Sequence, residues 1–166
     1  ISRAAVGKHI TALRVAGHAI EAVTRKGYKL LAKHDSVDGE AVAAFLTTHI
    51  FGKAGWTFFE TTTSTNLKAA HLAEEGGREG HVVVAERQTK GRGRKGHDWF
   101  FVPRGIQFSV LLYPHASFWD AESFTRLAAH AVADAVRELT GLASAVKIPN
   151  DVLINGKKIA GVLVET

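Results

Sequence analysis

Gly91-Arg92-Gly93-Arg94-Lys95-Gly96 decides how the chain is read. The hexapeptide matches the dinucleotide fingerprint G-x-G-x-x-G letter for letter, and taken at face value it would assign a doubly wound parallel sheet. That fingerprint works only where its glycines open a helix whose N-terminus faces a pyrophosphate. Here the glycines run into His97-Asp98-Trp99-Phe100-Phe101-Val102-Pro103, which has no helical spacing, and no acidic residue ends a strand about 20 residues on. A triphosphate-cradling loop fails as well, because His97 follows Gly96 where Lys and Ser or Thr are needed. What remains is a bare, adaptable backbone carrying three cations. Arg92 and Arg94 present forked donors suited to phosphate or carboxylate. The same residues also suit a solvated basic loop or a nucleic-acid arm, and the loop alone leaves the three readings open.

Outward from this loop, the flanking patterns predict an α+β fold with a mixed, largely antiparallel sheet. Upstream, Val82-Val83-Val84-Ala85 reads as a strand buried on both faces. Trp56 to Glu60 is a predicted strand, Asn66 to Glu75 a helix opened by Ser64 or Thr65, and Glu40 to His49 a helix behind Asp38. Downstream come a strand at Ile106 to Leu112 and a helix from Asp120 to Leu139. Phe124, Leu127, Ala128, Ala131, Ala135, Val136 and Leu139 are expected on its buried side, with Gly141 ending it. A strand over Ala145 to Ile148 precedes Pro149-Asn150-Asp151. Strands Val152 to Ile154 and Lys158 to Glu165 then flank the hairpin turn Asn155-Gly156.

The first residues form a separate unit, expected over 1–33 with the larger domain over 34–166. Ser2 can cap a helix with Val6, Ile10 and Leu13 at helical spacing, and Gly17 supplies its stop. Ile20 to Thr24 and Tyr28 to Leu31 make a hairpin about Arg25-Lys26-Gly27, and His34-Asp35-Ser36 reads as a linker. Ser2, Arg3, Lys8, His9, Arg14 and Lys26 are candidate contacts to nucleic-acid phosphates. A small solvated helix and hairpin is the equal alternative for this segment alone.

Composition narrows the classes. The 166 residues carry a net charge of +5, which suits polyanionic partners. Cysteine is absent, excluding disulfides, thiolate nucleophiles and cysteine-ligated metals. No apolar run reaches the roughly 20 residues of a membrane span. No histidine pair has metal-ligand spacing, so no metal site is predicted, and a cytoplasmic setting is the default expectation. The chain begins at Ile1 and has no methionine, which reads as a processed product or a fragment.

Two further groupings carry chemistry. Lys147 precedes Ile148-Pro149, so it should sit at a strand end, where an ammonium can hold charge developing on a phosphoryl or acyl oxygen. A surface lysine beside a turn is the plain alternative. Ser64-Thr65-Asn66 offers hydroxyls and an amide at a helix start, either for a polar ligand or simply for capping.

Taken together these motifs resemble the bacterial biotin protein ligases of the bifunctional ligase/repressor type, in register along nearly the whole chain. Ser2-Arg3-Ala4-Ala5 to Arg14 resembles the family's recognition helix, and Lys26-Gly27-Tyr28 its wing. The resemblance implies a truncated winged helix-turn-helix lacking its first helix. It implies next a class II synthetase-like catalytic domain, incomplete at its C-terminal end. Biotin would be held by Ser64, Thr65, Asn66, Gln88, Arg92, Gly93, Arg94, Lys147 and Gly161. The adenylate would be held by Arg94, Lys95, Trp99 and Asn150. Arg92, Arg94 and Lys147 would serve catalysis. Biotin and Mg-ATP are the implied substrates, and a biotin carboxyl carrier protein the acceptor. Operator DNA and a homodimer formed on ligand or DNA binding are further implied partners. A repressor without ligase activity and a lipoate or octanoate ligase are the alternative readings. Ile148 stands where this family usually has tryptophan, and Phe100-Phe101-Val102-Pro103 replaces a smaller, more polar stretch.

Overall fold

The computed structural model describes residues 2–15, 18–32, 37, 39–114 and 120–166, and the chain divides into two units, Ile1–Asp38 and Gly39–Thr166. The expected stop at Gly17, the linker at His34 to Ser36 and the cap at Asp38 lie outside the described residues.

In the first unit, α1 (Arg3–Val15) is followed by the antiparallel pair β1 (Ala19–Val23) and β2 (Gly27–Ala32). Ser2 caps the helix, its Oγ accepting from the Ala5 N–H at 3.2 Å. The Arg14 guanidinium donates to the Ile20 carbonyl at 2.8 and 3.1 Å, tying helix to hairpin. Arg25 at φ 62 and Gly27 at φ 96 close the turn. No described residue of α1 is buried, and Val6 and Leu13 stay partly exposed.

The second unit begins with α2 (Gly39–Ala43) and is organised around β4 (Val82–Gln88). Val82, Val83, Val84 and Ala85 are all buried, as their unbroken apolar run requires. Strand β3 (Trp56–Thr62) pairs with β4 in parallel, and α3 (Thr65–Glu74) makes the crossover between them. On the other side β7 (Gln107–Val110) pairs with β4 antiparallel, giving a mixed three-stranded sheet. The basic hexapeptide lies in a small hairpin of β5 (Gly91–Arg92) and β6 (Asp98–Trp99), turned by a 3₁₀ segment at Arg94–Gly96. A second three-stranded sheet, antiparallel, holds β8 (Ser144–Lys147), β9 (Asp151–Ile154) and β10 (Lys157–Gly161), with β9 central. Asn155 at φ 50 and Gly156 at φ 75 form the tight turn that the Asn-Gly pair encodes. The Ile148–Pro149 peptide is cis.

Helix α4 (Ala121–Thr140) covers the second sheet. Asp120 caps it, accepting from the Ser123 N–H at 2.6 Å, and Gly141 ends it in the left-handed region. Its buried stripe is Thr125, Ala129 and Ala133, packed with Val152, Val146, Ala160 and Val162. The Ser144 hydroxyl donates to the Ala133 carbonyl at 2.7 Å.

Four expectations need correction. The buried side of α4 is rotated from the expected one: Leu127, Ala131, Ala135 and Leu139 are exposed, while Phe124, Ala128 and Val136 are half-buried. Small residues spaced by four let the helix lie close on β8 and β9, and that approach outweighs the bulkier apolar side chains. The helix predicted over Glu40 to His49 stops at Ala43. There Thr48 Oγ1 donates to the Phe51 carbonyl at 2.8 Å and Lys53 Nζ to that of Leu46 at 3.1 Å, side-chain bonds that compete with helical ones. The glycine-rich basic stretch, expected as a loop over Gln88 to Asp98, is not irregular: Gln88 ends β4 and Gly91 onward forms the β5–β6 hairpin. Finally, β10 ends at Gly161 rather than running to Glu165. Val162 still donates to the Asn150 carbonyl at 2.9 Å, but the next residue along that edge is Pro149, which has no N–H to extend the ladder.

His81, just before β4, sits 2.8 Å from Thr57 Oγ1 through Nε2. Burial first, and the nearby Arg78 guanidinium second, hold its pKa below the usual histidine value of 6.5. A neutral ring accepts the Thr57 hydroxyl proton at Nε2, whereas a protonated ring has only donors. Because the folded-state pKa is depressed, the stability associated with the neutral ring is complete above pH 6.5 and is lost as pH falls toward the folded-state value. Thermal melts should therefore show the advantage of the unsubstituted protein over His81→Gln shrinking between pH 7.5 and pH 5. A gap that stays constant would contradict this.

Candidate functional site

Two sequence motifs, Ser64-Thr65-Asn66 and the basic hexapeptide, are linked in the second unit. Ser64 caps α3, accepting the Leu67 N–H at 3.5 Å, and is buried with Thr65. Gln88, the last residue of β4, reaches the same helix start. Its Oε1 accepts the Thr65 N–H at 2.7 Å and lies 3.1 Å from the Thr65 hydroxyl. Its Nε2 donates to Gln107 Oε1 at 3.0 Å, and Gln107 in turn donates to the Glu86 carbonyl at 2.9 Å. Ser109, on β7, shares a 2.8 Å hydroxyl–hydroxyl bond with Thr65 and donates to Asn66 Oδ1. Polar side chains from α3, β4 and β7 thus satisfy one another where the helix N-terminus leaves backbone donors open.

Asn66 then links this network to the basic hairpin. Its Nδ2 donates to Glu165 Oε2 at 2.8 Å and lies 3.4 Å from the Leu163 carbonyl. Glu165 also holds Arg92, whose Nη2 is 3.0 Å from Oε1 and 3.2 Å from Oε2. Both partners are partly exposed, so the pair contributes at most about 1 kcal/mol to stability. Its consequence is geometric, because it orients a guanidinium on an otherwise short hairpin.

The hairpin is itself ordered locally. Gly93 donates to the His97 carbonyl at 2.6 Å and His97 to that of Arg94 at 3.1 Å. Lys95 at φ 56 and Gly96 at φ 77 make the reversal, and a side chain is unusual in the first of those positions. Gly91 is buried opposite Trp99, where a β-carbon would come within 3.0 Å of the Trp99 carbonyl oxygen. Arg94 is half-buried and Lys95 exposed.

Trp99 closes the link to the second sheet. Its ring lies against Gly161, where a β-carbon would come within 2.9 Å of Cζ3. Lys158 Nζ stands 5.0 Å from the Trp99 ring centroid and 2.6 Å from Asp151 Oδ1, a cation between an aromatic face and a carboxylate. Asp151 pairs across β8–β9 with Lys147, which is exposed at the end of its strand. Asn150 contributes its carbonyl to Val162.

The fold therefore joins Thr65 to Gln88 directly, Asn66 to Arg92 through Glu165, and Trp99 to Gly161 directly, and sets Lys147 at the strand end beside Asp151. Sequence reasoning missed Glu165, Gln107, Ser109 and Lys158. Glu165 and Lys158 fell inside one segment read as an ordinary strand, and Gln107 and Ser109 inside another. An open cleft of about 360 Å³ is lined by Phe59, Thr61, Thr62, Thr63, Lys68 and Thr89. None of these six is a residue predicted to bind ligand. Among the described residues no group of three His, Asp or Glu could hold a metal, and no helix is long and apolar enough to cross a membrane.

Residues 58–166 match the model of the Biotin/lipoate A/B protein ligase family, and the chain belongs to that family. It has the catalytic-domain fold of the biotin ligases, built of helices with mixed sheets. Among its relatives, the bifunctional ligase/repressor BirA of Bacillus subtilis is 39% identical over 165 residues, covering 99% of this chain and 50% of the relative. The biotin–[acetyl-CoA-carboxylase] ligase of Paracoccus denitrificans is 39% identical over 108 residues, 63% of this chain and 44% of that one. Among solved structures, the Aquifex aeolicus biotin protein ligase in complex with biotin and ATP superposes with a TM-score of 0.59. That structure is 35% identical, over 67% of this chain and 46% of its own. The chain spans about half the length of the curated relatives it matches.

The tight seat of Trp99 on Gly161 gives a direct test of the link between hairpin and sheet. Gly161→Ala should displace the indole, lower the unfolding free energy by roughly 1–3 kcal/mol and red-shift tryptophan emission. An unchanged melt with unchanged emission would mean that the two elements do not depend on each other.

Proposed function

We propose that the protein containing this chain is a biotin protein ligase. It forms biotinyl-5′-AMP from biotin and Mg-ATP, then transfers the biotinyl group to a lysine of a biotin carboxyl carrier protein. One observation carries the reading. The basic hairpin is anchored by Arg92, through Glu165, to the polar cluster at the start of α3, so a hydrogen-bonding cradle and an anion clamp adjoin. Similarity to a ligase solved with biotin and ATP supports it.

In this reading Ser64, Thr65, Asn66 and Gln88 orient the biotin head through directional hydrogen bonds. The biotin carboxylate attacks the α-phosphorus of ATP, the bond to pyrophosphate breaks, and an acyl-phosphate anhydride forms. The acceptor lysine, as free amine, then attacks the acyl carbon and AMP leaves. Arg92 and Arg94 clamp carboxylate and phosphate oxygens, Lys147 stabilises charge developing on the reacting oxygens, and Gly93 lets the backbone approach closely. Lys95, Trp99 and Asn150 bound the adenylate, and Gly161 the biotin side. Arg94→Ala in the full-length protein should cut adenylate formation and retention at least about 10-fold, measured by pyrophosphate exchange and adenylate dissociation. If both rates are unchanged, the clamp assignment is wrong. Calorimetry with biotin against lipoate distinguishes this reading from a lipoate or octanoate ligase, with heat of binding expected for biotin alone.

A second function is favoured by the basic first unit and by relatives named as ligase/repressors. We infer that this unit is part of a winged helix-turn-helix that binds operator DNA, acting in a homodimer. Ser2, Arg3, Lys8, His9 and Lys26 contact the duplex, and Arg14 both contacts it and braces the hairpin. Sequence-selective binding by the full-length protein that weakens steeply with salt is the expected result of a duplex titration. Weak, sequence-blind affinity would defeat the repressor role and leave the ligase intact.

A further inference from the structure

Glu165 is an unexpected charge to find here, because a carboxylate beside an anion clamp opposes the ligand the clamp is built for. Its contacts explain it. One oxygen, Oε2, accepts from Asn66 at 2.8 Å and from Arg92 at 3.2 Å, while Oε1 faces Arg92 at 3.0 Å. The two partners come from different elements, Asn66 from the first turn of α3 and Arg92 from the basic hairpin. Asn66 is fixed on its other side by Ser109, so Glu165 ties a side chain that is already braced to one that is not. Arg92 is half-exposed, on a strand of only two residues, and has no other ion pair among the described residues. A guanidinium so placed gains its direction from Glu165. Among the described residues only Nη2 is engaged, which leaves Nε and Nη1 to meet a ligand oxygen.

We propose that Glu165 is a positioning residue that aims Arg92 of the hairpin and locks the hairpin to the Asn66 end of the ligand cradle. It touches no reacting atom. The proposal deepens the ligase reading and rests on it. Glu165→Gln affects the two contacts unequally: the glutamine oxygen in the Oε2 place still accepts from Asn66, whereas Arg92 loses the carboxylate charge and meets amide donors in the Oε1 place, keeping at most a neutral bond to the oxygen. Glu165→Ala removes both contacts.

The experiment is a double-mutant cycle in the full-length protein, read as the dissociation rate of preformed biotinyl-adenylate with thermal midpoints measured alongside. Glu165→Gln should speed release about 10-fold at an unchanged midpoint. In an Arg92→Ala background it should have no further effect, whereas Glu165→Ala should still add a smaller loss through Asn66. Glu165→Asp, which keeps the charge on a shorter arm, should fall between Gln and the unsubstituted protein, and provides a second route should Gln lower the midpoint. Losses from Glu165→Gln that add in full to those of Arg92→Ala would overturn the proposal, as would no acceleration in either charge-altering variant. If the unsubstituted protein makes no biotinyl-adenylate, the ligase reading falls and this inference with it. If the adenylate forms and the losses are additive, only the role of Glu165 is lost.

Discussion

Everything in the larger unit depends on the desolvation of β4. Its apolar run Val82 to Ala85 must be covered on both faces and paired on both edges, and the fold meets that demand with parallel β3, antiparallel β7 and helix α3. Once that register is set, the strand delivers Gln88 to the start of α3 and leads directly into the basic hairpin at Gly91. The apolar part of the strand is thus a fixed base from which the polar end is presented. Burying those side chains supplies the driving force, whereas the ion pairs around the site, being partly exposed, supply little beyond direction.

Direction is what this site needs. A two-stranded hairpin of two residues per strand has too few backbone hydrogen bonds to hold itself rigid. Here it is held at both flanks by side chains. On one flank Arg92 meets Glu165, and on the other Trp99 lies between Gly161 and Lys158. Both anchors belong to the segment running from β10 onward, so the strand at the centre of one sheet and the edge of the other are coupled through the hairpin. The loss of ladder pairing after Val162 matters in this respect, because it frees residues 163–165 to leave the sheet and bring Glu165 to Arg92.

The sequence was legible where one physical demand dominated. An unbroken valine run means burial on two faces, Asn155-Gly156 means a tight turn, and Asp120 with Gly141 frames a helix, and each of these appears as read. Partners far apart in the chain were not legible. Nothing local to Glu165 indicates that it would meet Asn66 and Arg92, 99 and 73 residues earlier. The buried face of α4 was misjudged for a related reason. Periodicity ranks bulk, but a stripe of alanines wins when a sheet approaches closely, and the sheet's distance is a tertiary property. The hairpin at Gly91 was read as a loop because strands of two residues fall below any pattern that alternation can reveal.

The cations near the site divide by partner. Arg92 and Lys158 face Glu165 and Asp151, so their charge is balanced in the protein and they act as joints. Arg94, Lys95 and Lys147 have no such carboxylate among the described residues. Under the proposed ligase reading these three are the charges left for an anionic substrate, and the balanced pairs do not need to open for it. Neutralising every cation internally would leave no attraction for a phosphate, and neutralising none would leave the hairpin's charges unbalanced against the Lys158 side of the sheet. Two anchored charges and three unbalanced ones are what the proposed binding of a polyanionic substrate asks of an ordered hairpin. This division suits an acyl-adenylate better than a solvated basic loop, which would have no need for carboxylates placed at its joints.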